Sequence, residues 1–194
     1  MDDIVKAALK KWPNVPNCYG WLALDARGDW YMRDDRTQAA GPFPRIKGSR
    51  ILHDKLREFI ARNYASDADG CWFFQNGPQR VYVELEAAPW VWRLQVDDAG
   101  RLHIQSHTGL TASYQAAWLD ELGRLFVACE LGLGIVHTLD METAANAIES
   151  GQWTVAELPS AALQERFGYC LSPANRPHDL ANRADPGVRA SSSE

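Results

Sequence analysis

Ile4, Val5, Ala8, Leu9 and Trp12 recur at helical spacing, which predicts a short amphipathic helix over 3–11, stopped by Pro13 and Pro16. The period then switches from helical to alternating. Trp21-Leu22-Ala23-Leu24 and Asp29-Trp30-Tyr31-Met32-Arg33 are β-prone runs on either side of Asp25-Ala26-Arg27-Gly28, the pattern of a hairpin. Residues 34–49 carry Gly41, Pro42, Pro44 and Gly48 among several charges and read as an exposed loop. Ile51, Leu52, Leu56, Phe59 and Ile60 restore the helical period, predicting a helix over 50–64 with Ser49 as its cap.

Strands dominate the next stretch. Asp67-Ala68-Asp69-Gly70 leads into Cys71-Trp72-Phe73-Phe74-Gln75, and Asn76-Gly77 is a strong hairpin signal because both positions tolerate positive φ. In the partner strand Val81, Val83 and Leu85 take one face, and Tyr82, Glu84 and Glu86 the other. After Pro89, Trp90, Trp92, Leu94 and Val96 alternate up to Asp97-Asp98-Ala99-Gly100, and Arg101 to Gln105 return. Ala117-Trp118-Leu119 turns at Asp120-Glu121-Leu122-Gly123 into Leu125-Phe126-Val127-Ala128. Asp-x-x-Gly thus occurs four times, each time just before a strand: the aspartate bonds the turn backbone, and the glycine supplies the left-handed residue.

Helices are expected again over 141–149, capped by Asp140 and ended by Gly151, and over 160–167, ended by Gly168. The pattern predicts an α+β fold of antiparallel hairpin or meander sheets, as two small sheets or a partial barrel, with packed helices. One domain over 1–172 accounts for it, with 1–86 and 87–172 as possible halves. Residues 173–194, polar and without apolar period, are expected to form a disordered tail.

Composition adds little to this picture. Hydrophobic residues make up 46% and charged residues 23%, ordinary globular values, and eight tryptophans suit the core of twisted sheets. The formal charge of −5, with no basic stripe, argues against nucleic acid and against anionic membrane surfaces. Met1-Asp2-Asp3 opens no signal peptide and no apolar run reaches membrane length, so the cytoplasm is the expected compartment. Cys18, Cys71, Cys129 and Cys170 form no C-x-x-C pair and are expected to be reduced and mostly buried.

From Asp69-Gly70-Cys71-Trp72-Phe73-Phe74 through Val81-Tyr82-Val83-Glu84-Leu85-Glu86-Ala87-Ala88-Pro89-Trp90, the chain resembles a proteobacterial family of uncharacterised proteins, a domain of unknown function. The resemblance covers most of residues 1–170. More distantly, over 29–96, the chain is similar to a second family of unknown function with a DG turn, a valine-glutamate strand and an APF-like corner in the same order. Both imply an antiparallel α+β fold with packed helices, and neither brings catalytic residues. For the distant relatives a signalling or ligand-sensing role is implied by analogy alone.

Candidate chemistry is sparse. Gly132-Leu133-Gly134 lacks the third glycine of a dinucleotide fingerprint, His137 standing in its place, and reads as a bent strand or loop. His103 and His107 are expected on one strand face with Gln105, too few ligands for zinc. Cys129 sits in an apolar run that should raise its thiol pKa. Tyr82, Glu84 and Glu86 form the best polar row, so a ligand or partner is expected there, with His103 and His107 as further candidates. No catalytic set, metal site or cofactor is predicted. The expected role is a non-enzymatic module binding a small ligand or a protein. The alternatives are an enzyme assembled from sequence-distant residues and a structural subunit; the oligomeric state stays open.

Overall fold

A computed structural model describes residues 1–176 of the 194-residue chain. The chain runs α1 (Asp3–Lys11), β1 (Cys18–Leu24), β2 (Trp30–Met32), α2 (Asp35–Ala40), β3 (Ser49–Arg50), α3 (Asp54–Arg62), β4 (Tyr64–Ser66), β5 (Trp72–Asn76) and β6 (Gln79–Leu85). It continues through β7 (Trp90–Val96), β8 (Leu102–Ser106), β9 (Thr111–Ala112), β10 (Tyr114–Leu119), β11 (Leu125–Cys129), β12 (Gly132–Val136), α4 (Met141–Glu149), β13 (Val155–Glu157) and α5 (Ser160–Phe167). Short 3-10 turns lie at Thr138–Asp140 and Pro173–Asn175.

The class is α+β, and the four helices expected from apolar period and end signals are present. The strands divide into two sheets, ordered β3-β2-β1-β6-β5-β4 and β13-β10-β11-β12-β7-β8-β9. Each sheet holds two three-stranded antiparallel meanders, and each joins them in the same way. The first strand of the earlier meander lies parallel to the last strand of the later one, β1 beside β6 and β7 beside β12. A third parallel pair sets β13 on the edge of β10. The second sheet therefore repeats the topology of the first and adds one strand.

Each meander carries one Asp-x-x-Gly turn between its first two strands, and the four turns share one set of bonds. The glycine N–H donates to the aspartate C=O at 2.9–3.2 Å. Oδ1 accepts from two further backbone N–H groups: Arg27 and Asp29 for Asp25, Asp69 and Cys71 for Asp67, Ala99 and Arg101 for Asp97, Leu122 and Arg124 for Asp120. The glycines sit at φ between 70° and 81°, where a Cβ is unfavourable. Ser106-His107-Thr108-Gly109 builds the same turn between β8 and β9, with the serine hydroxyl accepting from Leu110 N–H at 3.0 Å.

One hydrophobic cluster takes Leu22, Leu24, Val83 and Leu85 from the first sheet and Trp118, Phe126, Leu133 and Ile135 from the second, with Ile60 of α3 and Leu163 of α5. On the other face of the second sheet Trp92, Leu125, Val127 and Val136 pack against Ala144 and Ala147 of α4 and against Trp153. Trp30, Trp90, Trp92, Trp118 and Trp153 are buried, whereas Trp12 and Trp21 are exposed.

Four expectations need correction. Residues 34–49 are not all loop: Asp34 caps α2, its carboxylate accepting from Thr37 N–H at 2.8 Å and from the Thr37 hydroxyl at 2.6 Å. Helix α3 starts at Asp54 rather than 50, because Ser49 and Arg50 join the sheet as β3 and the His53 side chain accepts from Leu56 N–H. Asp140 does not cap α4; its carboxylate binds Arg93 and accepts from Leu94 N–H. The expected tail begins too early, since Pro173 is buried and Ala174 N–H donates to Glu84 at 3.2 Å. The rest of that segment, 177–194, lies outside the described residues.

Candidate functional site

Alternation places Tyr82, Glu84 and, just beyond β6, Glu86 on one face, but other segments cover it, the C-terminal one over Glu84. Tyr82 is buried, stacks on Tyr19 at 4.6 Å between ring centroids, and donates to Asp67 Oδ2 at 2.9 Å. Glu84 is buried and accepts from the Ser172 hydroxyl and from Ala174 N–H. Glu86 accepts from Ala26 N–H at 3.2 Å and pairs with Lys47 at 3.0 Å. The row ties together turns and strands and offers no open docking surface.

The two histidines separate. His103 stays on β8, exposed, with Nε2 2.9 Å from Asp97 Oδ2. His107 lies beyond the strand, in the Ser106–Gly109 turn. Its N–H donates to Val91 C=O at 2.8 Å, and its Nδ1 accepts from Val91 N–H at 3.3 Å. That double clasp leaves the ring proton on Nε2. Trp30, Tyr64 and Trp90 surround the imidazole at 5.6–5.8 Å between centroids. Burial among these rings lowers the His107 pKa to about 3, so the ring is neutral at ordinary pH. Aromatic faces give an N–H donor only weak compensation.

His107 lines a cleft of about 510 Å³ between α3, the Asp25–Gly28 turn and the Ser106–Gly109 turn. Trp30 and Gly28 line it on one side, and Asp54, Arg57, Glu58 and Arg62 of α3 on another. Glycine is required at 28 because a Cβ there would approach His107 Cβ to 2.9 Å. Among the described residues, two buried side-chain polar atoms have no hydrogen-bond partner: Arg57 Nε and His107 Nε2. Both belong to side chains that line this cleft. Both are donors, and buried donors are normally paired because leaving one unmade costs about 1–3 kcal/mol. Arg57 is held through another nitrogen by Asp54, one turn earlier on the helix. The cleft thus combines a fixed guanidinium, a fixed neutral imidazole and an indole wall, which suits a ligand with acceptor atoms and a flat or apolar body.

The family model DUF2944, described as "Protein of unknown function (DUF2946)", matches residues 1–174. The chain belongs to this family. No curated protein matches it. Two solved structures of DUF1285 family proteins are similar to it. One, from Silicibacter pomeroyi DSS-3, is 14% identical with a TM-score of 0.49, over 75% of this chain and 84% of that one. The other, from Shewanella baltica OS155, is 16% identical with a TM-score of 0.44, over 65% of this chain and 91% of that one.

This DUF2944 family member has a second, more polar cleft of about 670 Å³ on the other side of the Asp25 turn, reaching Arg93 and His137 of the second sheet. Most of its charges are paired with one another. Lys47 bridges Asp25 at 2.9 Å and Glu86 at 3.0 Å, Tyr31 donates to Asp25 at 3.1 Å, and Arg50 binds Asp29 at 2.6 Å. Burial opposes ionisation of Asp25, but Lys47 and the turn N–H groups outweigh it and hold its pKa below the usual value. Such a network ties the Asp25 turn to the strands and loops of the first sheet and occupies most of its charged groups. Gly132-Leu133-Gly134 belongs to β12, where a Cβ on Gly134 would lie 2.4 Å from Trp92 Nε1. Burial, with Glu130 beside it, pushes the Cys129 thiol up to about 12. Among the described residues no cluster of His, Cys, Asp or Glu is placed to hold a metal ion, and no helix is long and apolar enough to cross a membrane.

Sequence reasoning had His107 but not Arg57. The missed signal is Ser106-x-x-Gly109, which ends the strand one residue before His107 and turns it inward. The pairing with Arg57 is long-range and leaves no local pattern.

Proposed function

We propose that the chain is a cytoplasmic ligand-binding module that takes a small carboxylic acid in the cleft under α3. The observation that carries this reading is the pair of unpartnered buried donors, Arg57 Nε and His107 Nε2, on side chains that line one cleft. A carboxylate supplies acceptors to both, and the guanidinium adds charge assistance. The volume lies within the range of small-molecule sites, and Trp30 offers a face for an apolar body. Core thiols at Cys71 and Cys129 suit a reducing compartment. A formal charge of −5 gives no support to nucleic acid as the partner.

A thermal-shift panel of small aromatic and aliphatic carboxylic acids tests the reading. A saturating acid is expected to raise the midpoint by about 5 °C or more. The Arg57→Gln variant, altered at a surface ion pair, is expected to fold normally and lose that shift. A panel in which no acid moves the wild-type midpoint, or an acid that shifts Arg57→Gln equally, overturns the assignment.

A further inference from the structure

Cys71 and Cys170 lie far apart in sequence and meet at the C-terminal seam of the first sheet. Cys71 directly follows the Asp67–Gly70 turn; it is buried, and its N–H donates to Asp67 Oδ1 at 2.9 Å. Cys170 follows α5, is partly exposed, and donates its N–H to Gly70 C=O at 3.1 Å. That backbone bond sets the two residues side by side, and both pack in the cluster with Phe73, Tyr82 and Tyr19. Both are free thiols, brought together by that backbone bond and the shared cluster. The segment that holds Cys170 is anchored on both sides: the Tyr169 hydroxyl donates to Ala87 C=O at 3.0 Å, and Leu171 C=O accepts from Leu85 N–H at 2.8 Å.

We propose that Cys71 and Cys170 are a reversible redox pair, oxidised by a hydroperoxide to an intramolecular disulfide that fastens the C-terminal segment to the first sheet. Cys170, the partly exposed member, attacks first. Its thiolate sulfur bonds one peroxide oxygen, the O–O bond breaks, and the leaving alkoxide or hydroxide takes a proton, giving an alcohol or water. The Cys71 thiol then attacks the sulfenic sulfur; the S–S bond forms, the S–O bond breaks, and the hydroxide leaves with the thiol proton as water. Two electrons pass from the thiols to the peroxide, and a dithiol reverses the change by exchange.

The electrostatics assign the same roles. The neighbouring Cys71 thiol, the Ser172 N–H and the Arg176 charge hold the Cys170 pKa down to about 7 against the effect of burial. The same thiol contact, with burial, raises that of Cys71. An accessible thiolate backed by a sheltered thiol is the arrangement expected of a peroxide-reactive cysteine and its resolving partner. This pair is separate from the cleft under α3, so it stands or falls independently of the ligand reading.

The test exposes the purified full chain to stoichiometric hydrogen peroxide. Thiol titration, peptide mass mapping and thermal melts follow, before and after dithiothreitol. The expected result is loss of two thiols, a single linked peptide pair containing Cys71 and Cys170, and a Tm raised by about 5–15 °C. Dithiothreitol should reverse all three. In Cys71→Ser, dimedone should trap Cys170 as a sulfenic acid and no Tm rise should follow; Cys170→Ser should leave Cys71 unreacted. No thiol loss, a link through Cys18 or Cys129 instead, or an equal Tm rise in Cys170→Ser overturns the proposal. The wild-type mass map decides even if a variant folds poorly.

Discussion

In the second sheet the aspartates of the turns at Asp97 and Asp120 bind only within their own hairpins, Asp97 Oδ2 also meeting His103 at 2.9 Å. The spare carboxylate oxygen of each binds the arginine that follows the glycine, Arg101 at 2.8 Å and Arg124 at 2.7 Å. Nothing lies within 4 Å of where a Cβ would stand on Gly100 or Gly123. In the first sheet the same turn reaches outward. Asp25 Oδ2 takes Tyr31 and Lys47, and Asp67 Oδ2 takes Tyr82 from the third strand of its meander. A Cβ on Gly28 would press on His107, and one on Gly70 would stand 1.7 Å from Gly168 C=O. The same local geometry thus leaves room around its glycine in one sheet and is packed against its neighbours there in the other, although Glu121 in the Asp120 turn still accepts from Ser160 at the start of α5. Turn chemistry makes the bend, and what the bend touches determines how much rests on it.

Alanine at the turn glycines should break this symmetry in a graded way. Gly70→Ala is expected to cost more than about 4 kcal/mol, because backbone must separate from backbone, and urea melts should show little folded protein. The joint between the sheets gives the next effect. The imidazole of the unfolded chain titrates near 6.5 and that of His107 near 3, so the unfolded state binds the extra proton in between. Stability should be full above about pH 6.5 and fall toward pH 3 by up to about 1.4 kcal/mol per pH unit. His107→Asn, whose carbonyl can still accept from Val91 N–H, should flatten that slope in denaturant melts taken across the range.

Gly28→Ala follows at about 3 kcal/mol, from the left-handed backbone and the crowding of His107 together. Gly100→Ala and Gly123→Ala should each cost only about 1 kcal/mol, the conformational part alone. A Gly100→Ala melt as poor as that of Gly28→Ala would remove the distinction between the sheets. The smallest effect belongs to Arg101→Met, expected within about 0.5 kcal/mol because its ion pair is exposed.

The apolar period carried α1, and the stop signals at Gly151 and Gly168 marked α4 and α5; each is set within a few turns of chain. It missed α2, where Gly41 and Pro42 close a helix of six residues; the cap Asp34 with Thr37 three residues on was the available sign. The repeated Asp-x-x-Gly turns were legible because each is local. The parallel pairs were not, since β1 beside β6 and β7 beside β12 are choices between distant partners. The same limit governs the site. Alternation assigned Tyr82, Glu84 and Glu86 to one face, yet only the fold shows other segments covering it, the C-terminal one over Glu84. Arg57 and His107 converge through α3 and a turn of the second sheet, a relation no spacing records.

The parallel pairing within each sheet also has a consequence for synthesis. As the chain leaves the ribosome, β1 can form its hairpin with β2 at once, but its other edge must wait for residues 79–85. At about 5–20 residues per second this leaves a strand edge bare for several seconds, and β7 waits in the same way for β12. That bare edge carries Leu22, Ala23 and Leu24, buried in the finished protein and open to wrong neighbours while it is being made. Nascent chains released before β6 is complete are therefore the species in which chaperone capture or edge-to-edge aggregation should concentrate.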